Sequence, residues 1–155
     1  MPETEKKHLI EFDKTINHTM EGCSFDILPI ETVNEIFKDG RSFSHFMERW
    51  LEKIFGLKHV KGCKGHDLVD PSNDEIKYEV KTFTKGGCRF CSSNMVGVGR
   101  KFNQEVFEEK TKKLLFCIVS NIDFPNIKIR FVKGVDLLEY KTGKIPSKDF
   151  VKFFD

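Results

Sequence analysis

The sequence predicts one α/β (α+β) domain, a central mixed β-sheet flanked by helices. Three segments carry that prediction. Residues 42–55 hold an apolar stripe at helical spacing, residues 76–83 alternate as a half-buried strand does, and residues 114–119 form a nearly continuous apolar run typical of a sheet centre. At 155 residues, 39% hydrophobic and 32% charged, the chain is the size of one domain and can bury a core.

The N-terminal stretch is mixed. Leu9, Ile10 and Phe12 could start a short strand or helix, and Gly22 interrupts the pattern before residues 23–28. Residues 30–37 read as a short helix with Val33, Ile36 and Phe37 on one face and Gly40 ending it. In residues 42–55, Phe43, Phe46, Met47, Trp50, Leu51 and Ile54 recur at spacings of three and four. Ser42 or Ser44 would cap that helix and Gly56 would stop it. Glu48 and Glu52 lie four apart, so a carboxylate row borders the apolar stripe.

Beyond the helix the period changes. Residues 57–60 suit a short strand, residues 62–65 a loop and residues 66–70 an extended run. Pro71-Ser72-Asn73-Asp74 has turn composition. In residues 76–83, Ile76, Tyr78, Val80 and Thr82 point one way and Lys77, Glu79, Lys81 and Phe83 the other. The two extended runs therefore form a hairpin. Residues 84–100, rich in Gly, Ser, Asn and Cys, read as loop. Residues 103–113 suit an exposed helix and residues 114–119 a central strand. Residues 127–132 read as a strand with Ile127, Ile129 and Phe131 on one face, and residues 135–140 as a last short helix.

The formal charge is only +2, which excludes a polybasic coat. It is an average: residues 1–60 carry 8 basic and 11 acidic residues, and residues 61–155 carry 18 and 13. A basic cleft in the second part remains open. No apolar run approaches the roughly 18 residues of a membrane span. Met1-Pro2-Glu3-Thr4-Glu5-Lys6-Lys7 does not resemble a signal peptide, so a soluble cytoplasmic protein is expected. Five cysteines, an odd number, favour reduced thiols over a disulfide framework. Sixteen Phe against one Trp and two Tyr suit a packed core better than a base-stacking surface.

The chemistry lies in Gly65-His66-Asp67-Leu68-Val69-Asp70 and Tyr78-Glu79-Val80-Lys81. Alternation puts Glu79 and Lys81 on one strand face, and the hairpin can bring Asp67 beside Glu79. Two close carboxylates repel unless a cation or proton compensates, and hard oxygen ligands of this kind suit Mg²⁺, with the Val80 carbonyl as a further oxygen. Lys81 would then stand where an attacking water must be held. This is an apparatus for phosphodiester hydrolysis. The plainer alternative is an edge hairpin with an ordinary ion pair.

Asp67 followed by Glu79-Val80-Lys81 resembles the signature of the PD-(D/E)XK nucleases. The resemblance covers residues 42–122. It departs at His66, which stands where the motif's first Pro usually would. It implies a restriction-endonuclease-like fold, Mg²⁺ held by Asp67 and Glu79, and Lys81 as the catalytic lysine. On the preceding helix, where some members carry an extra metal-site Glu, Glu48 is the match ahead of Glu52.

Size and the strands after the motif point toward a type II restriction endonuclease acting on double-stranded DNA as a homodimer. The division is then 1–40 (N-terminal, a candidate for dimerisation), 42–122 (catalytic core) and 123–155 (C-terminal extension with Lys128, Arg130 and Lys133). A Holliday-junction resolvase-like nuclease and a non-catalytic nucleic-acid-binding module with a nuclease fold are the alternatives. Candidate DNA contacts are Lys85, Arg89, Ser93, Asn94, Arg100, Lys101, Asn103 and Gln104, of types that read base edges or hold phosphates. Cys88-Arg89-Phe90-Cys91 has the spacing of a zinc half-site that Cys63 or His66 could complete. With no second C-x-x-C, thiols in a glycine-rich loop are the preferred reading. The histidines are read as structural.

Overall fold

The computed structural model describes residues 9–60, 67–91 and 103–155. Among these, six strands make one mixed sheet: β1 (Thr15–Thr19), β2 (Lys58–His59), β3 (Leu68–Asp70), β4 (Asn73–Phe83), β6 (Leu115–Ser120) and β7 (Asn126–Lys133). Their order is β1-β7-β6-β4-β3-β2. β5 (Cys88–Arg89) and β8 (Lys144–Ile145) form a two-stranded ribbon beside it. Neighbours run antiparallel except β4 and β6. Those two are parallel because α3 (Gln104–Lys112) carries the chain back over the sheet between them.

Each face of the sheet is covered, as the apolar pattern requires. Phe43, Met47 and Leu51, spaced one helical turn apart on α2 (Gly40–Phe55), are fully buried. They pack in one core with Leu68, Tyr78, Val80, Cys117, Val119 and Phe131. On the other face Phe83, Phe116, Ile118 and Val132 pack with Phe107 of α3 and with Phe153 and Phe154 of α4 (Phe150–Phe154). β6 therefore sends Cys117 and Val119 into one core and Phe116 and Ile118 into the other, which is why its sequence is apolar without alternation. Each such fully buried large side chain contributes about 1.5–3 kcal/mol.

The predicted mixed α/β class is observed, and so are most elements. α1 (Ile30–Phe37), α2, the β3–β4 hairpin, α3, β6 and β7 occupy the expected segments. Other expectations are corrected. Gly40 does not end α1; it opens α2, which Asp39 caps by accepting the Arg41 N–H at 2.9 Å. Ser42 and Ser44 lie inside the helix, and Ser44 bonds Thr82 of β4 instead. Gly56 does stop α2, in the left-handed conformation (φ 69°). Residues 15–19, for which the sequence predicts no element, pair along the whole of β7's first half as β1. Residues 84–91 are not plain loop. Thr84 and Gly87 close a two-residue hairpin at Lys85-Gly86 that folds β5 against β8. Residues 134–139 form a 3₁₀ helix, and the last helix is α4.

Candidate active site

The site is built where β3 begins beside β4. Asp67 donates its N–H to the Tyr78 carbonyl and accepts from the Val60 N–H, both at 2.9 Å, so its main chain is held between neighbouring strands. Asp67 thus stands just before β3, bonded to Tyr78, next to Glu79 on β4 and close enough for its charge to act on that carboxyl. Asp67 Oδ2 accepts the Val80 N–H at 2.9 Å. A residue's N–H and C=O leave a strand on the same edge, so the Val80 carbonyl also leaves β4 on the Asp67 side.

Glu79 is buried, 7% exposed, and its Oε1 lies 3.2 Å from Lys81 Nζ. Its Oε2 is shielded from solvent and has no hydrogen-bond partner among the described residues. Burial, and then the charge of Asp67, push the Glu79 carboxyl up to about 7; Lys81 opposes this only in part. The two acids and the lysine named from the sequence are thus brought together, and the buried carboxylate is under-compensated.

Glu48 joins them from α2. Its carboxyl is raised first by burial and second by the charge of Asp67, and Glu48 in turn raises Glu79. Glu48 Oε2 lies 3.2 Å from His59 Nε2 on β2. The Ser44–Thr82 hydroxyl bond at 2.8 Å, one helical turn before Glu48 and one residue beyond Lys81, fixes α2 over β4. Glu52 pairs instead with Arg49 at 3.3 Å. The sequence reads His59 as structural, and the fold places it beside Glu48 as that carboxylate's partner. Its one signal is its position just after Gly56, where the chain turns back under α2, and that packing is not visible in a lone histidine.

The donor set fits a hard divalent cation: carboxylates from Asp67 and Glu79, the Val80 carbonyl, and Glu48 nearby. The unpartnered Glu79 Oε2 is an atom such a cation would satisfy. Among the described residues, no three His, Cys, Asp or Glu side chains are drawn together as a ready-made cage. Asp67 is turned toward Val80 and Glu79 toward Lys81.

The candidate DNA contacts separate. Lys85 stands exposed at the tip of the β4–β5 hairpin and Arg89 is exposed on β5. Asn103 and Gln104 are exposed at the start of α3, where the Asn103 side chain caps the helix by accepting the Val106 N–H and Gln104 bonds Glu108. Ser93, Asn94, Arg100 and Lys101 lie outside the described residues, as do Cys63 and His66. In β7, Lys128 bonds Asn17 and Arg130 bonds the Phe153 carbonyl, with Asp13 at 3.5 Å. These two cations tie β1 and α4 to β7. Cys88 and Cys91 are buried in the second core, and burial pushes the Cys88 thiol up to about 12.

Among the described residues, no helix is long and apolar enough to cross a membrane. Comparison of the chain with protein-family models, with curated proteins and with solved structures found no match.

Proposed function

We propose that the chain is a Mg²⁺-dependent endodeoxyribonuclease of the PD-(D/E)XK kind, most simply a type II restriction endonuclease. The observation that carries the proposal is the buried Glu79 carboxylate, which lies in the field of Asp67, pairs with Lys81 through one oxygen and has no hydrogen-bond partner for the other among the described residues. An ordinary structural ion pair gives no reason to bury a second acid's field against the first. The element order supports the same reading: a helix carrying Glu48, three antiparallel strands with the acids and lysine, a crossover helix and a parallel strand.

Asp67 and Glu79 would hold the ion, with the Val80 carbonyl and Glu48 as further ligands. When bound, Mg²⁺ supplies water activation and offsets charge that builds on the phosphoryl group. Lys81, 3.2 Å from Glu79, orients the attacking water or stabilises the developing oxyanion through its ammonium. Asp67, fixed by the Val80 N–H, keeps the ligand geometry from relaxing into solvent.

The test is incubation of plasmid and genomic DNA with the protein and Mg²⁺, beside Asp67→Asn and Lys81→Met, with sequencing of the cut ends. Discrete ends that vanish in both variants support a restriction enzyme, and a palindromic site would go with a twofold homodimer in solution. Cutting confined to four-way junctions would turn the proposal to a resolvase. Binding with no cleavage of any DNA would overturn the enzyme reading.

A further inference from the structure

A polar groove of about 470 Å³ opens beside the site, between the start of α2 and the β5–β8 ribbon. Its floor is β4 beyond Lys81, at Thr82 and Thr84, and Ser44 on its α2 wall lies one turn before Glu48. Three cations converge on it from separate elements: Arg41 from α2, Arg89 from β5 and Lys144 from β8. All three are exposed, and none forms an ion pair within 4 Å among the described residues. The one acid in the lining, Asp39, accepts the Arg41 N–H as the cap of α2. The groove therefore carries three positive charges against one negative.

The walls are held close by the chain itself. A Cβ on Gly40 would lie 3.4 Å from Thr84, so α2 begins almost against the floor. Gly87, at φ +100°, turns β5 onto β8. A Cβ there would meet the Ile145 carbonyl at 2.5 Å, so only glycine lets the second wall form.

We infer that this groove binds the phosphodiester backbone of the DNA strand being cut, next to the scissile phosphate, with Arg41, Arg89 and Lys144 as the phosphate-holding residues. The inference rests on the endonuclease reading for the identity of the strand. Cations with no carboxylate partner among the described residues are free to exchange their counterions for backbone phosphates, whereas Lys128 and Arg130 are already engaged. Ser44 in the wall and Glu48 lie one turn apart on the same face of α2, which leads a strand seated at the acids into the groove.

The experiment is equilibrium binding of a short labelled DNA duplex to the whole chain in EDTA, over a series of salt concentrations. Wild type is compared with Arg41→Gln, Arg89→Gln, Lys144→Gln and their triple combination. Lys112→Ala, an exposed lysine on α3, is the control. Thermal melting by circular dichroism checks folding, and the single variants decide the matter if the triple does not fold. The triple variant should bind at least tenfold more weakly. Its salt dependence should be shallower by about 0.9 for each phosphate the variant no longer neutralises, while the control matches wild type. Wild-type affinity and slope in the triple variant, or no duplex binding by wild type, would overturn the inference. If Asp67→Asn abolishes cleavage while the groove variants bind normally, the groove fails and the nuclease stands. If the groove variants lose binding and no DNA is ever cut, the groove stands and the nuclease fails.

Discussion

Asp67 Oδ2 accepts the N–H of Val80 at 2.9 Å, so the first acid of the site is held by the residue that separates the second acid from the lysine. A charge and a main-chain hydrogen bond are combined in one carboxylate, and substitution can separate them. Asp67→Asn keeps an acceptor for Val80 and should unfold in urea within about 0.5 kcal/mol of wild type. Asp67→Ala leaves that N–H unpaired and should lose about 1 kcal/mol. Both should lose DNA cleavage. Equal loss of stability in the two would show that the charge, not the hydrogen bond, holds Asp67 in the fold.

Glu79 makes stability fall as pH rises. Its carboxyl is raised in the folded protein from 4.5 to about 7, so between those values the folded state binds the proton that the unfolded state has released. The contribution is fully present below about pH 4.5 and is lost as pH passes about 7, with a ceiling of about 3 kcal/mol at 1.36 kcal/mol per unit. Metal-free wild type should therefore lose more stability between pH 5 and pH 8 than Glu79→Gln does. Paired urea titrations at the two pH values measure the difference. Mg²⁺ should raise the melting temperature of wild type at pH 8, where the carboxylate is charged, and do so far less in Glu79→Gln.

Glu48 is expected to act on the ion through its charge, positioned by His59 at 3.2 Å. Glu48→Gln keeps a partner for His59 and removes the charge, so the protein should fold normally and bind Mg²⁺ about tenfold more weakly by isothermal titration. Glu52→Gln, whose carboxylate faces Arg49, should leave Mg²⁺ affinity unchanged.

The thiols should divide by burial. Cys88 and Cys117 are fully buried with thiols pushed up by desolvation, Cys88 to about 12, whereas Cys23 is exposed. Iodoacetamide at neutral pH should modify Cys23 in the folded protein and reach Cys88 and Cys117 only after denaturation, as read by peptide mass spectrometry. Rapid modification of Cys88 in the folded state would refute its place in the core.

Gly87→Ala should destabilise the protein by more than about 1 kcal/mol in urea unfolding, because the residue combines a positive φ with a Cβ position blocked by the Ile145 carbonyl. Gly86→Ala, in the same turn, is the comparison. Its nearest neighbour is the Thr84 hydroxyl at 3.8 Å, so it should cost little.

Local pattern by itself determined the amphipathic α2, the hairpin of β3 and β4, the continuously apolar β6 and the stop at Gly56. Each of these follows from periodicity or from a single backbone preference. It also indicated that Asp67 lies near Glu79 and Lys81, because strand alternation and one hairpin suffice to bring the two segments together. Tertiary structure alone decided the rest. β1 has no strong apolar alternation and exists because β7 offers it an unpaired edge. Helix capping passed from the serines to Asp39 because Ser44 found Thr82 across the interface. His59 met Glu48, Lys128 met Asn17 and Arg130 met the Phe153 carbonyl because α2, β1 and α4 pack where they do. The groove of Arg41, Arg89 and Lys144 joins residues about a hundred positions apart. Sequence spacing encodes contacts within a turn or a hairpin; charges that meet only after three elements pack leave no period to read.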